Sequence, residues 1–203
     1  MPGIKKPPAR APWRVLLGYA SLDGARWTEL AGVMRSAAAD PSDPPAILAA
    51  GFRLAVQFDW HEAVANHFSL AVSPDGKKFL MNRRWRHFSR IRASDLLLLD
   101  ADDDQTMDAA DAPDPSAWCI HGRIHRALPQ ARCLLHLHTP YATALSALAD
   151  PEIKPIDQTT ARYFNRVAYD MNYGGIADST GEGDRIAAAL GNHGTMMMAQ
   201  HGV

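Results

Sequence analysis

The chain has 203 residues, 47% of them hydrophobic and 21% charged, with a formal net charge of -1. That length supports one domain with a sizeable core, and the balance of apolar and charged residues excludes a disordered or fibrous class. The near-zero net charge excludes a global pull toward nucleic acid or an anionic membrane, and the apolar runs are too short to span a bilayer.

The opening, Met1 to Pro12, is basic and proline-rich, and the stretch after it is too polar for a secretory leader, which places the protein in the cytoplasm. With Asp40 to Pro45 it reads as tail and linker, over residues 1–45, around irregular or weakly helical sequence. From Ile47, apolar residues at helical spacing (Ile47, Leu48, Gly51, Leu54, Ala55, Phe58) predict a helix with Pro45 in its first turn. Phe68 to Val72 and Lys78 to Met81, around Pro74-Asp75-Gly76, predict a hairpin. Leu96 to Leu99 is a strand-length apolar run, followed by an Asp-rich loop to Asp114. A helix is expected from an N-cap at Ser116, with Ile120, Ile124 and Leu128 on one face, ending at Pro129. Next come a strand from Arg132 to His138, a helix from Pro140 to about Ala149, and a longer helix from Thr159 to Tyr169. A helix closing at Gly191 and a last strand from Thr195 to Gln200 complete the pattern.

Chemistry concentrates in Leu134-Leu135-His136-Leu137-His138. On a strand, side chains two apart share a face, so both imidazoles point one way and can chelate a divalent cation. Alone, such a pair is better read as two satisfied histidines at a strand end. His201, in Gln200-His201-Gly202 directly after the last strand, supplies a third imidazole, and loops at sheet edges carry chemistry. His121 and His125, four apart on a predicted helix, lack the glutamate of the zinc-protease pattern and are expected to pack beneath this site. His67 and His87 are read as structural or close to substrate. The aspartates from Asp100 to Asp111 only loosely trace a calcium loop, since Gln105 replaces the glycine that the turn needs. Two cysteines, Cys119 and Cys133, are too few for a disulfide framework, and both are read as free thiols, neither of them a nucleophile.

The run His136-Leu137-His138-Thr139-Pro140-Tyr141-Ala142-Thr143-Ala144, followed later by His201-Gly202, resembles the metal signature of class II aldolases and adducins. The likeness extends over 46–203, through Trp60 to Ser69, Asn82 to Asp100, Trp118 to His138 and Tyr169 to Ala177. It implies an α/β domain over 46–203, three-layer α/β/α with a central, largely antiparallel sheet. It also implies one divalent transition metal, with zinc the expected ion, on His136, His138 and His201. A homo-oligomer is implied, a tetramer by resemblance, acting on a small molecule with no nucleic acid or membrane partner. Asn66 and Ser69 match the family's Gly-Asn-x-Ser anion loop, with Ala65 where the aldolases have glycine. Asn82 and Arg83 stand at a second anion-binding turn, and Arg84, Arg86, Arg90 and Arg92 nearby read equally as a solvated basic loop or a substrate clamp. The family continues past the position of Val203, so a further segment is expected there.

The main departure from the family is Ala117, in Pro115-Ser116-Ala117-Trp118, which stands where sugar-phosphate aldolases carry the glutamate that moves the proton. The aldolases' assisting tyrosine also lacks a clear counterpart, Asp157 or Gln158 falling at about that spacing. Glu62, Asp157 and Tyr163 are the replacement acid/base candidates. The leading expectation is a metal-dependent lyase cleaving a C–C bond of a small hydroxy- or oxo-acid or sugar derivative through a metal-stabilised enolate. The alternatives are a non-catalytic adducin-like binding module, and a metal-dependent decarboxylase or epimerase on the same fold. Without a glutamate at position 117, little sugar-phosphate aldolase activity is expected, and Ala117→Glu is expected to restore some.

Overall fold

Helix α1 (Pro44–Gln57) is capped by Asp43, whose carboxylate accepts from the Ala46 amide at 3.1 Å, with proline in the first turn. The structure, a computed structural model, describes residues 14–17, 43–172 and 174–203. The predicted hairpin forms as β2 (His67–Ala71) and β3 (Lys78–Met81), and β4 (Leu97–Asp100) and β5 (Ala131–His136) come next in the chain as expected. Residues Arg14–Leu17, expected to be irregular or weakly helical, form strand β1 beside β5. The reason is a long-range backbone pairing that no local pattern announces. The rest of the expected N-terminal tail and linker, up to residue 42, lies outside the described residues.

The sheet runs β1-β5-β2-β3-β4 and is largely antiparallel, β1 and β5 being its parallel pair. Phe68 and Leu70 of β2, with Cys133 and Leu135 of β5, face one layer that contains α1 and Phe88. There Phe52 stacks on Phe68 at 4.9 Å and meets Phe88 edge-on at 4.6 Å, all three fully buried, which makes this trio a large part of the apolar core. On the other face, Leu134, Ile120, Ile124, Ile186 and Met196 pack together beneath α5 (Thr180–Leu190). The result is the expected three-layer α/β/α architecture. Among the described residues no helix is long and apolar enough to cross a membrane.

Three local expectations are corrected. The segment 159–169 is not a helix but a single turn, Thr160–Tyr163, followed by strand β6 (Val167–Asp170). Asn165, at φ +54°, stops the helical path, and Val167–Asp170 pairs in parallel with β7 (Thr195–Met198). The helix expected from Ser116 is capped instead by Asp114, which accepts from the Ser116 amide and leaves Pro115 in the first turn. That helix runs as α2 (Pro115–Ala117), a wider π-turn (Trp118–Gly122) and α3 (Arg123–Ala127). Gly183 of α5 packs so closely on this turn that a β-carbon there would lie 2.2 Å from the Cys119 carbonyl. The helix from Pro140, α4 (Pro140–Ser146), ends a little early. The Asp-rich loop folds onto basic neighbours, with Asp102 paired to Lys77 and Arg126.

Candidate metal centre

The end of β5 and the turn after β7 meet at one point. His136 is the last residue of β5, and His138 stands just before Thr139-Pro140 starts α4. The chain leaves β7 through a tight turn, with Gln200 at φ +58° and a bridge between Met198 and Gly202, which presents His201. Leu137 and Val203 exchange backbone hydrogen bonds of 3.0 and 3.1 Å, locking this turn onto the histidine segment. Gly202 is required by that approach, since a β-carbon would lie 2.7 Å from the Leu137 carbonyl and 3.0 Å from the His138 ring.

His136, His138 and His201 each offer a ring nitrogen, and these nitrogens all lie within 4.8 Å of one another. The His136 and His138 Nε2 atoms are 2.9 Å apart, and the Glu62 carboxylate takes the other side of His138, its Oε2 2.6 Å from Nδ1. A carboxylate behind an imidazole fixes its tautomer and orientation for metal binding. Burial, and then the neighbouring imidazoles, push His136 well below the ordinary histidine range, and burial with His138 pushes His201 to about 4. Both rings are therefore neutral near pH 7, with lone pairs available. Three convergent imidazoles are the donor set that suits zinc and related divalent ions.

A second histidine assembly lies beneath the first, and its members are buried. The antiparallel register sets His67 of β2 opposite His136, and the two rings stack at 4.6 Å. His67 Nδ1 lies 2.8 Å from His121 Nε2. From there, His121 Nδ1 is 2.6 Å from the Ser69 hydroxyl, which is 2.7 Å from His125 Nε2. Burial lowers His67 and His121 well below their ordinary range, and burial followed by the Arg132 charge takes His125 to about 3. His121 and His125 thus pack beneath the site as expected. Sequence reasoning missed that Ser69 joins them, although the two-residue spacing of His67 and Ser69 places both on one strand face.

A cavity of about 500 Å³ opens over the three histidines, lined also by His67, Trp85, Asp114, Ser116 and Gln200. Trp85 is 74% exposed at φ +61°; with Gln200, two residues of this lining hold a backbone conformation costly to non-glycine residues. No arginine or lysine lines the cavity among the described residues. Arg83 is instead paired with Asp111 at 2.6 Å and bonded to the Asp95 carbonyl. Asn82 is buried and accepts from the Phe68 amide, and Ser69 is fully buried in the histidine assembly. Of the four anion-binding candidates, Asn66 keeps a free donor: its Oδ1 accepts from the Glu62 amide while its buried Nδ2 has no partner. Glu62 joins the centre through His138. Asp157 is exposed and tied to the Thr160 amide at 2.7 Å, Tyr163 packs against the core beside Val167, and neither lines the cavity. Asp114, a carboxylate that does line it, was hidden from sequence reading by its role as a helix cap.

The sequence profile of the class II aldolase and adducin N-terminal domain matches residues 46–203. The chain belongs to this family. It is 34% identical over 116 residues, 57% of its length, to a 4-hydroxy-3-prenylphenylpyruvate oxygenase/4-hydroxy-3-prenylbenzoate synthase of Streptomyces roseochromogenus subsp. oscitans, of which that stretch is 42%. An aldolase II superfamily protein from Pseudomonas syringae superposes with a TM-score of 0.68 at 34% identity, covering 76% of this chain and 62% of that one. An L-fuculose 1-phosphate aldolase from Glaciozyma antarctica superposes with a TM-score of 0.64 at 21% identity, covering 78% and 61%, and shares the fold. The chain thus spans about half the length of such curated relatives. Class II aldolases are typically dependent on a divalent metal, and the cluster of His136, His138 and His201 is where this family member could hold one. If Glu62 orients His138 for that ion, Glu62→Gln should weaken zinc affinity about 10- to 100-fold in a competition titration. Unchanged affinity would assign Glu62 to the surface alone.

Proposed function

We propose that this class II aldolase-fold protein is a metal-dependent lyase that breaks a C–C bond in a small 2-oxo- or 2-hydroxy-acid with an apolar tail, by aldol cleavage or by decarboxylation. The observation that carries this reading is the convergence of His136, His138 and His201 on the wall of a 500 Å³ cavity. A divalent ion held there, zinc by expectation, would supply a Lewis acid for a substrate oxygen on which negative charge develops. The protein's own groups suit the rest of such a substrate. Trp85 offers an exposed aromatic face to the cavity, which Val64 and Ile176 also line. Asp114, Ser116 and Gln200 are the polar groups that reach the cavity and could position or exchange a proton.

A phosphorylated sugar is disfavoured by the same lining. A phosphate dianion needs cations or several amide donors, whereas Arg83 is spent on Asp111 and Ser69 on His121 and His125. The Streptomyces relative's name, which joins a phenylpyruvate to a benzoate, supports an aromatic oxo-acid as the first substrate to try. The adducin-like alternative, a binding module without catalysis, is favoured by Ala117. The protein is further proposed to work in the cytoplasm as a homo-oligomer, a tetramer by resemblance. The test is a panel of arylpyruvates, short 2-oxo- and 2-hydroxy-acids and a phosphorylated ketose, assayed with Zn2+-loaded protein. Turnover of a carboxylate substrate with no activity on the phosphate ester is expected. Activity on the ketose phosphate at ordinary rates, on the order of 1–10³ s⁻¹, would refute the substrate class. Inactivity on every member would favour the binding module.

A further inference from the structure

His61 and His87 repeat, away from the candidate centre, the geometry of His136 and His138. Their Nε2 atoms are 2.9 Å apart, as in the first pair. Their rings meet at 4.7 Å and 86°, against 4.8 Å and 89° for His136 and His138. His87 Nδ1 accepts from the Ser89 amide at 3.2 Å and lies 2.9 Å from the Ser89 hydroxyl, while His61 Nδ1 is buried. Once the His87 proton moves to Nδ1, where the Ser89 hydroxyl can accept it, both rings offer an Nε2 lone pair, and both residues are partly exposed, so an ion from solvent can reach the pair. Burial, then His87, holds His61 below the ordinary histidine range, and Asp59 lies near enough to favour positive charge there.

We propose that His61 and His87 form a second, exchangeable site for a divalent transition ion. Imidazole pairs suit Zn2+, Ni2+ and Cu2+, and two protein ligands completed by water bind more weakly than three. The location gives the site a consequence. His61 precedes Glu62, the partner of His138, and His87 lies two residues after Trp85 at the cavity mouth. An ion on this pair clamps these two segments together, so its occupancy bears on both the orientation of His138 and access past Trp85.

The test is equilibrium dialysis of the protein against saturating Zn2+, with the metal-free fold of each variant checked by circular dichroism. The unmodified chain should take up two equivalents, one displaced by a mild chelator. His61→Gln and His87→Gln should each bind one equivalent and keep the tight one, while the triple variant His136→Ala/His138→Ala/His201→Ala should keep the weak one. A Cu2+ complex of that triple variant should show nitrogen couplings from two imidazoles, lost on adding His61→Gln. Saturation of the unmodified chain at one equivalent would overturn the proposal, since the pair would then be only an imidazole–imidazole hydrogen bond. So would two equivalents persisting in both His61→Gln and His87→Gln. A tight equivalent that survives His136→Ala counts against the main centre and leaves this one standing.

Discussion

The metal-free protein should lose stability steeply as the pH falls below about 6.5, well before its carboxylates titrate. His67, His121, His125 and His136 are buried in the folded state without a carboxylate between them, and burial lowers each from its ordinary value, His125 to about 3. In the unfolded chain each returns to about 6.5. Between the two values the unfolded chain binds protons that the folded chain refuses. Stability is thus complete above the unfolded value and is lost as the pH drops through the window below it. Each such group contributes about 1.4 kcal/mol per pH unit, so four acting together amount to on the order of 5 kcal/mol per unit, against a total stability of about 5–15 kcal/mol. Denaturant titrations of the metal-free protein at pH 7.5, 6.5 and 5.5 should show a flat region followed by a sharp fall. A stability unchanged down to pH 5 would mean that the histidines are charged or solvated in the fold.

Ala117→Glu should unfold or strongly destabilise the protein, by on the order of 3 kcal/mol, with no gain of sugar-phosphate cleavage. Sequence comparison makes this substitution look like a repair, because a glutamate stands there in the aldolases. In this structure Ala117 is 1% exposed and packs with Phe79, Met81 and Trp118, while its neighbours Asp114 and Ser116 reach the cavity. A carboxylate introduced at 117 starts in an apolar cluster, adding a desolvation cost to overpacking. Thermal melts of the variant beside Ala117→Ser, a smaller change, measure the effect. A variant as stable as the unmodified protein and newly active on a phosphorylated ketose would show that the side chain swings into the cavity.

Much of the fold was legible because its signals are local. Pro45 and the apolar spacing from Ile47 announce α1, Pro74-Asp75-Gly76 announces the hairpin, and period-two spacing puts His136 and His138 together. What stayed hidden depends on partners distant in sequence. Val167–Asp170 looks helical in isolation, and becomes a strand because β7 lies beside it. Residues 14–17 become a strand only through β5. The same holds for the site: the matching of Ser69 and Arg83 to family positions could not reveal that one would turn inward to His121 and the other outward to Asp111. Family likeness gives residue identity, whereas availability for a ligand depends on what the three-dimensional neighbours have already claimed.

The central claim, one divalent ion on His136, His138 and His201, is tested most directly by elemental analysis of purified protein after dialysis that removes weakly held ions. The unmodified chain should carry one equivalent of zinc or a similar metal, and His136→Ala, dialysed identically and shown to be folded, should carry almost none. A full equivalent retained by folded His136→Ala would contradict the assignment.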